Sequence, residues 1–515
     1  MQTRIRPNVL TSANLRPAAK TGLRPAAYLA LLPFVASASA CAWSKFDDFE
    51  EQATVRTYEA PDSYRRSGYG SVIETYQGKA GSHTVSRLIT SAGPDSPIVI
   101  ENIWTDADFG KSNNVRCKKE KDCAKAQGVA AAFVPFETWA RGTMQEHTGC
   151  IYAPGFPNAY IFCETNPGSS PTFKLGLPED LKATTFHFNG ASLPPAHPLG
   201  IALLGVYTTS NRTGEAALGK LYYQPDLVKM APPLREVLLL DPSFEPRAPF
   251  SAAPDAADLG YAVVAQTNVA GELVFAVSQP SKNRVIVGTY DDKIMVPATV
   301  VDPSEQLNAR IRTRACITSE DPALKGVGKK LAMGDINHDG NPELFVGIDP
   351  LDGANGDLQR VWMYPGTGLP QFDEASKVCP LWGEKPVQVG CIDGIRGVDC
   401  ENTGFGASLA IGDVDGDSFG DLLVGAPQAN LQGEKEAGVA WLIPGSAAGL
   451  DFENMTNLYA SNFQAKAKAG TAVGFVHTSD RDEPVVGAPG MDAVHMFMCT
   501  ELEPDAKPSK LCLPK

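Results

Sequence analysis

The sequence predicts an all-β fold, and three observations carry that prediction. Turn formers run through the whole chain, with 48 Gly and 40 Pro among 515 residues. The apolar runs are short: Ser408-Leu409-Ala410-Ile411 and Leu422-Leu423-Val424 have the length of strands buried on both faces. No apolar period of helical spacing extends far beyond the first 40 residues.

A repeat organises these strands. Val327-Gly328 leads to Leu331-Ala332-Met333-Gly334-Asp335 and then to Glu343-Leu344-Phe345-Val346-Gly347. Phe405-Gly406 leads, without a gap, to Leu409-Ala410-Ile411-Gly412-Asp413 and then to Asp421-Leu422-Leu423-Val424-Gly425-Ala426-Pro427. A third copy runs from Gly470 to Val485-Val486-Gly487-Ala488-Pro489 without the acidic stretch. Fainter copies open at Tyr69-Gly70, Leu199-Gly200 and Leu259-Gly260, and Ala153-Pro154-Gly155 echoes Ala488-Pro489-Gly490, with Gly128 as the start of its unit. The seven openings are Gly70, Gly128, Gly200, Gly260, Gly328, Gly406 and Gly470, about 67 residues apart on average.

Each unit reads as strands divided by turns. In the best copy a third strand, Val439-Ala440-Trp441-Leu442-Ile443, ends at Pro444-Gly445-Ser446. Such a unit cannot cover its own faces, so neighbours must stack, and radial stacking of four-stranded sheets makes a β-propeller with only short edges exposed. The expected architecture is a seven-bladed β-propeller over residues 41–515, with its best-matched blades at 327–400, 404–465 and 469–515. Residues 54–58 are placed to complete the last blade. The long stretch before Gly406, with Cys379, Cys391 and Cys400, reads as a disulfide-pinned insertion.

Two loops carry chemistry. Asp413, Asp415, Asp417 and Asp421 stand at positions one, three, five and nine of 413–421, and Phe419 at position seven can offer its carbonyl. Asp335, Asn337, Asp339 and Glu343 take the same positions in 335–343, with Asn341 at position seven. Calcium takes 6–8 oxygens, and a short loop supplies them when alternate residues point inward. Carboxylates packed so closely repel without a cation. Magnesium keeps most of its waters and suits such a cage less well. Gly340 at position six supplies a sharp turn, and Ser418 departs from it. His338 falls at an outward position and reads as solvated. An Asp- and Gly-rich polar turn explains one such loop alone. Two at one place in a repeat favour two calcium sites.

Phe-Gly, an Asp-rich loop and Gly-Ala-Pro, in that order over 327–365 and 404–445 and more weakly over 469–498, resemble the FG-GAP repeat of integrin α-subunits and of many bacterial surface lipoproteins. The resemblance implies a seven-bladed propeller of the integrin-α type, with calcium between the first two strands of certain blades. There it would stiffen the blade edge and shape the face that meets partners. The unit at 327 departs at Gly347-Ile348-Asp349-Pro350, which lacks Ala-Pro but leaves its ligands intact.

Residues 1–40 read as an export signal: Arg4, Arg6, Arg16, Lys20 and Arg24 precede an apolar run over 26–36, then Ala38-Ser39-Ala40-Cys41. That run is too short to span a bilayer, which needs about 20 apolar residues. Small residues before Cys41 resemble a lipobox, which would make Cys41 a lipidated first residue; Ala38-x-Ala40 also suits ordinary signal peptidase. Without Cys41, ten of the 11 Cys remain, an even number that suits an oxidising compartment. Close pairs are Cys117 with Cys123, Cys150 with Cys163, Cys391 with Cys400 and Cys499 with Cys512, while Cys316 and Cys379 are left over.

The net charge of −14 works against nucleic acid and anionic lipid as partners. No G-x-S-x-G, H-E-x-x-H or G-x-G-x-x-G motif is present. Gly214 to Lys220 imitates a phosphate loop, but Leu221 and Pro225 follow, so it reads as a hairpin turn. The expected function is a non-catalytic, calcium-stabilised binding, adhesion or scaffold protein at the cell envelope, exported and lipid-tethered, with a protein or carbohydrate ligand. The alternatives are a propeller hydrolase or lyase with a loop-built site on one face, and a purely structural envelope protein.

Overall fold

The computed structural model describes parts of residues 54–498. Its longest unbroken stretches are 258–318, 326–348, 402–459, 462–477 and 481–498; elsewhere the described residues are strands and short flanks. The export segment, Cys41, Gly128, and Cys117, Cys123, Cys379, Cys391, Cys400, Cys499 and Cys512 lie outside the described residues.

Among the described residues, seven antiparallel sheets have three or four strands each. The first holds Val72–Ala80, His83–Ser91 and Val99–Thr105; the second Val134–Phe136, Cys150–Gly155, Asn158–Cys163 and Phe173–Leu175. The third holds Phe186–Ser192, Ala202–Thr208, Gly219–Gln224 and Arg235–Glu236; the fourth Val263–Thr267, Leu273–Gln279, Arg284–Tyr290 and Ile311–Thr318. The fifth holds Lys330–Gly334, Glu343–Gly347, Val361–Tyr364 and Val387–Val389; the sixth Ser408–Gly412, Asp421–Ala426, Val439–Ile443 and Thr456–Leu458. The seventh holds Val473–His477, Asp482–Ala488 and Ala493–Met498, and its outer strand is Thr54–Glu59 from the other end of the described chain, paired antiparallel from Thr54 opposite Met498 to Glu59 opposite Ala493. The first strands of successive sheets lie against one another in chain order, and Val473–His477 returns to Val72–Ala80, so the sheets close a cycle. This is a β-propeller.

Strand alternation explains the packing, because neighbouring side chains leave a strand on opposite faces. Leu422 and Val424 face the fifth sheet, where they meet Phe345 and Met363. Leu423, between them, faces the seventh and packs with Val486 and Phe497. In the sixth sheet Asp421–Ala426 and Val439–Ile443 are therefore buried on both faces, as the Leu422-Leu423-Val424 run predicted, whereas Leu409, Ala410 and Ile411 of its first strand are only partly buried. The repeat glycines have two jobs. The six unit openings that are described all have φ between +85° and +109°, a region L side chains avoid. The second-strand glycine then meets the next opening: a Cβ on Gly425 would lie 2.0 Å from the Gly470 carbonyl oxygen, and one on Gly487 would lie 2.0 Å from that of Gly70.

Among the described residues, one α-helix departs from the all-strand expectation. Pro303–Asn308 follows Asp302, whose carboxylate accepts from the backbone N–H of Ser304 and Glu305. Asp-Pro-Ser-Glu is a sequence-level helix start, with an acidic N-cap and Pro at the first turn. Cys316 is buried in the outer strand of the fourth sheet and is disulfide-bonded. Gly219 and Lys220 open a strand of the third sheet, while 209–218 lie outside the described residues.

Candidate metal centres

Both acidic loops join the first and second strands of their sheets, 335–343 in the fifth and 413–421 in the sixth. Each position-one carboxylate is held by backbone N–H groups of its own loop. Asp413 Oδ1 accepts from Gly416 (2.7 Å) and Asp417 (3.1 Å), and its Oδ2 from Ser418 (2.9 Å). Asp335 Oδ1 accepts from Asp339 (3.2 Å) and its Oδ2 from Gly340 (2.8 Å). The chain can wrap the carboxylate this way only by turning left-handed twice. In one loop those residues are His338 (φ 57°) and Gly340 (79°), and in the other Gly416 (75°) and Ser418 (74°). Ser418 therefore keeps the turn that its residue type departs from, and Gly416 supplies the second permissive position.

Position nine is anchored twice. Asp421 Oδ2 accepts from Val414 N–H (2.8 Å) and Oδ1 from Gly445 N–H (2.9 Å). Glu343 Oε2 accepts from Ile336 N–H (3.0 Å) and Oε1 from Gly366 N–H (3.3 Å). Gly366 and Gly445 both follow a proline that ends the third strand. Pro444-Gly445 reads in the sequence as a turn that ends the third strand, and Pro365-Gly366 is its aligned copy; the anchoring by both glycines shows only in the structure.

The structure brings Asp413, Asp415 and Asp421 together. One carboxylate oxygen from each lies within 4.8 Å of the others, about the greatest separation possible for two oxygens each ~2.4 Å from one calcium ion. Asp417 is not in that group; it is exposed and accepts from Phe419 N–H at 2.9 Å. Asp335, Asp339 and Glu343 do not close into such a group. There the Asn337 amide nitrogen donates to Asp339 Oδ2 (3.2 Å) and Glu343 Oε1 (3.4 Å), and Asn341 N–H donates to Asp339 Oδ1 (2.7 Å).

Burial makes these acids costly to ionise. It pushes Asp421, 2% exposed, well above the usual carboxylate range, with the Asp415 and Asp417 charges adding to the rise. Burial, then the charges of Asp417 and Asp413, pushes Asp415 up to about 7. Burial raises Asp413 as well. Glu343, 2% exposed, is pushed up to about 7 by burial, with Asp339 and Asp335 adding to it. A hard divalent cation would relieve this repulsion, and the all-oxygen donor set suits calcium. Asp413, Asp415, Asp421 and the Phe419 carbonyl could hold one in the sixth sheet. Asp335, Asp339, Glu343 and the carbonyl of Asn341 could do so in the fifth, once Asn337 turns its oxygen inward.

The loops also touch across sheets. Gly420 N–H donates to the Asp335 carbonyl at 3.0 Å. His338 Nδ1 lies 3.1 Å from the Ser418 carbonyl, and its ring stands edge-on to Phe419 at 6.1 Å. His338 thus bridges two loops and is not simply solvated. One sheet on, Asp482 N–H donates to the Asp413 carbonyl (2.7 Å), and Asp482 Oδ2 accepts from Asp413 N–H (2.9 Å).

Residues 405–443 match the family model described as "FG-GAP repeat". Over 119 residues the chain is 31% identical to integrin alpha-PS2 of Drosophila melanogaster; the match covers 21% of this chain and spans 8% of that protein's length. Among solved structures, an exo-beta-1,3-galactanase from Clostridium thermocellum aligns over 60% of this chain and 58% of its own, at 11% identity and a TM-score of 0.28, a likeness too slight to bear on the fold. The chain is a β-propeller protein that carries an FG-GAP repeat and is similar, over part of its length, to an integrin α subunit.

Proposed function

We propose that this protein is a calcium-stiffened, non-catalytic binding or adhesion protein of the cell envelope, built on a seven-bladed ring. The repeat and the integrin likeness suggest the binding role. The observation that carries the calcium is the convergence of Asp413, Asp415 and Asp421, three acids drawn together and partly or wholly buried. The matched frame at Asp335, Asn337, Asp339, Asn341 and Glu343 supports a second site. The ions would hold position one to position nine, and so fasten the first strand of a blade to its second.

Export through residues 1–40, a lipid tether at Cys41 and disulfide pairing belong to the same reading. Cys150 stands directly opposite Cys163 in register, which brings their Cα atoms into the range a disulfide spans. No helix among the described residues is long and apolar enough to cross a membrane.

Calorimetric titration of chelator-stripped protein with calcium tests the proposal. Two bound ions are expected, falling to one in the double variant Asp413→Ala with Asp417→Ala. A flat wild-type isotherm would overturn it.

A further inference from the structure

In five of the six described openings the residue two before the opening glycine is left-handed: Gly68 (φ 81°), Asp258 (56°), Gly326 (66°), Gly404 (71°) and Lys468 (55°), while the opening at Gly200 has Pro198 there. All five turns close with the same bond, in which the residue three places on donates its N–H to that carbonyl at 3.0–3.2 Å. Three units place glycine there, the residue that takes this conformation without strain. Asp258 is compensated by Ser281, whose N–H and hydroxyl donate to its carboxylate at 2.8 and 2.6 Å. Lys468 has no such local compensation; its ammonium meets Glu436 at 3.8 Å, with both side chains about half exposed, a pairing worth little. Two residues earlier the pattern recurs. Lys466 is left-handed at φ 64°, where the sixth sheet's unit has Asn402 at 51°, a residue far better suited to that region.

These two strained lysines are displayed, not buried. Ala467 and Ala469 face the core, while Lys466 and Lys468 face solvent. The segment is laddered to the turn between the sixth sheet's second and third long strands: Lys466 N–H donates to the Lys435 carbonyl (2.8 Å), Lys468 N–H to Glu436 (3.1 Å) and Ala469 N–H to Ala437 (2.9 Å). Exposed Lys435 therefore runs beside Lys466. The acids in the same turn are Glu436, paired with Lys468, and exposed Glu434. The two segments also carry half-buried Tyr459 and Phe463, edge-on at 5.4 Å, and Gln432, whose amide donates to the Tyr459 hydroxyl at 3.3 Å. A chain of net charge −14 thus displays three lysines together, two of them at backbone positions that disfavour lysine. Strain kept at an exposed position points to function.

The geometry points to a binding site for an anionic saccharide, one bearing carboxylate or sulfate groups, on Lys435, Lys466 and Lys468. The ammonium groups would take the anions, the Tyr459–Phe463 edge the apolar face of a sugar ring, and Gln432 a hydroxyl. This gives the proposed binding role a ligand class, and it stands on residues separate from the calcium loops.

The test transplants the sixth sheet's own residues: Lys466→Asn with Lys468→Gly. Binding of polygalacturonate and dextran sulfate to the full chain in calcium buffer would be followed by calorimetry, with neutral dextran and polyglutamate as controls. The double variant is expected to bind the anionic saccharides at least tenfold more weakly. Its melting temperature should hold or rise by about 2 °C, because strain is relieved. Lys435→Gln, whose backbone is not left-handed, should weaken binding severalfold and covers the case in which the double variant misfolds. Calcium uptake by both variants should match wild type, which separates failure here from failure of the calcium reading. Wild-type affinity in both variants, equal binding of neutral dextran, no saccharide binding at low salt, or binding of polyglutamate alone would each overturn the assignment.

Discussion

Substitution of Asp421 separates the two contributions that this carboxylate makes. It accepts two buried N–H groups, from Val414 and Gly445, and it is one of three acids drawn together at the candidate centre. Asp421→Ala orphans both donors, at about 1–3 kcal/mol each, so a loss of roughly 2–6 kcal/mol is expected in chelator, with the forfeited calcium stabilisation added to it when calcium is present. Asp421→Asn keeps one acceptor and sets an amide donor against the other N–H. In chelator this loss is opposed by removal of an acid that burial disfavours in its charged form, and the variant should lie within about 1 kcal/mol of wild type. At calcium a hundredfold above Kd, each intact site adds about 2.7 kcal/mol, and the variant forfeits one of them. The gap between the Asp421→Asn variant and wild type should therefore widen by about 2.7 kcal/mol when calcium replaces chelator. Urea unfolding reports this through tryptophan fluorescence, because Trp441 is fully buried in the same sheet. An equal gap in both buffers would refute a metal role for Asp421 and leave only the two hydrogen bonds.

Other outcomes follow from the same geometry. Asp415 and Glu343 are pushed up to about 7 from an unfolded value near 4; a raised acid stabilises below its unfolded pKa, and that contribution is lost as pH climbs through the folded one. Metal-free protein should accordingly melt lower at pH 8 than at pH 5, and calcium should reverse the trend; a chelated melting point that rises with pH would contradict it. Gly425→Ala sets a methyl 2.0 Å from the Gly470 carbonyl oxygen and is expected to cost about 3 kcal/mol or more, read as a drop in urea midpoint; an unchanged midpoint would show that the sheets do not pack at this seam. Cys41→Ser should move the protein from membrane to soluble fractions, and unchanged fractionation would rule out lipidation.

The repeat, its phase and the order of its strands are legible in the residues alone. Those features are local: a glycine at each opening, an apolar run on each side of the acidic loop, and a Gly-Ala-Pro close. On the described residues the structure keeps them, down to the positive φ of the six described openings and the pairing of Thr54–Glu59 with Ala493–Met498; the opening at Gly128 lies outside those residues. Alternate spacing also identified which residues could face a cation. Which of them converge is set by packing and by backbone direction. Asp417 has the right type and spacing, yet it lies outside the cluster, because left-handed turns at Gly416 and Ser418 direct its carboxylate to its own loop. Gly366 and Gly445 hold position nine from a strand away, and His338 reaches a loop 80 residues downstream. Nothing in the sequence singles out Lys466 and Lys468; their backbone angles, set beside those of Asn402 and Gly404, do. Sequence spacing records residue type along the chain; the direction of a side chain depends on φ and ψ, and here those are set by hydrogen bonds within each loop together with contacts to the neighbouring sheet.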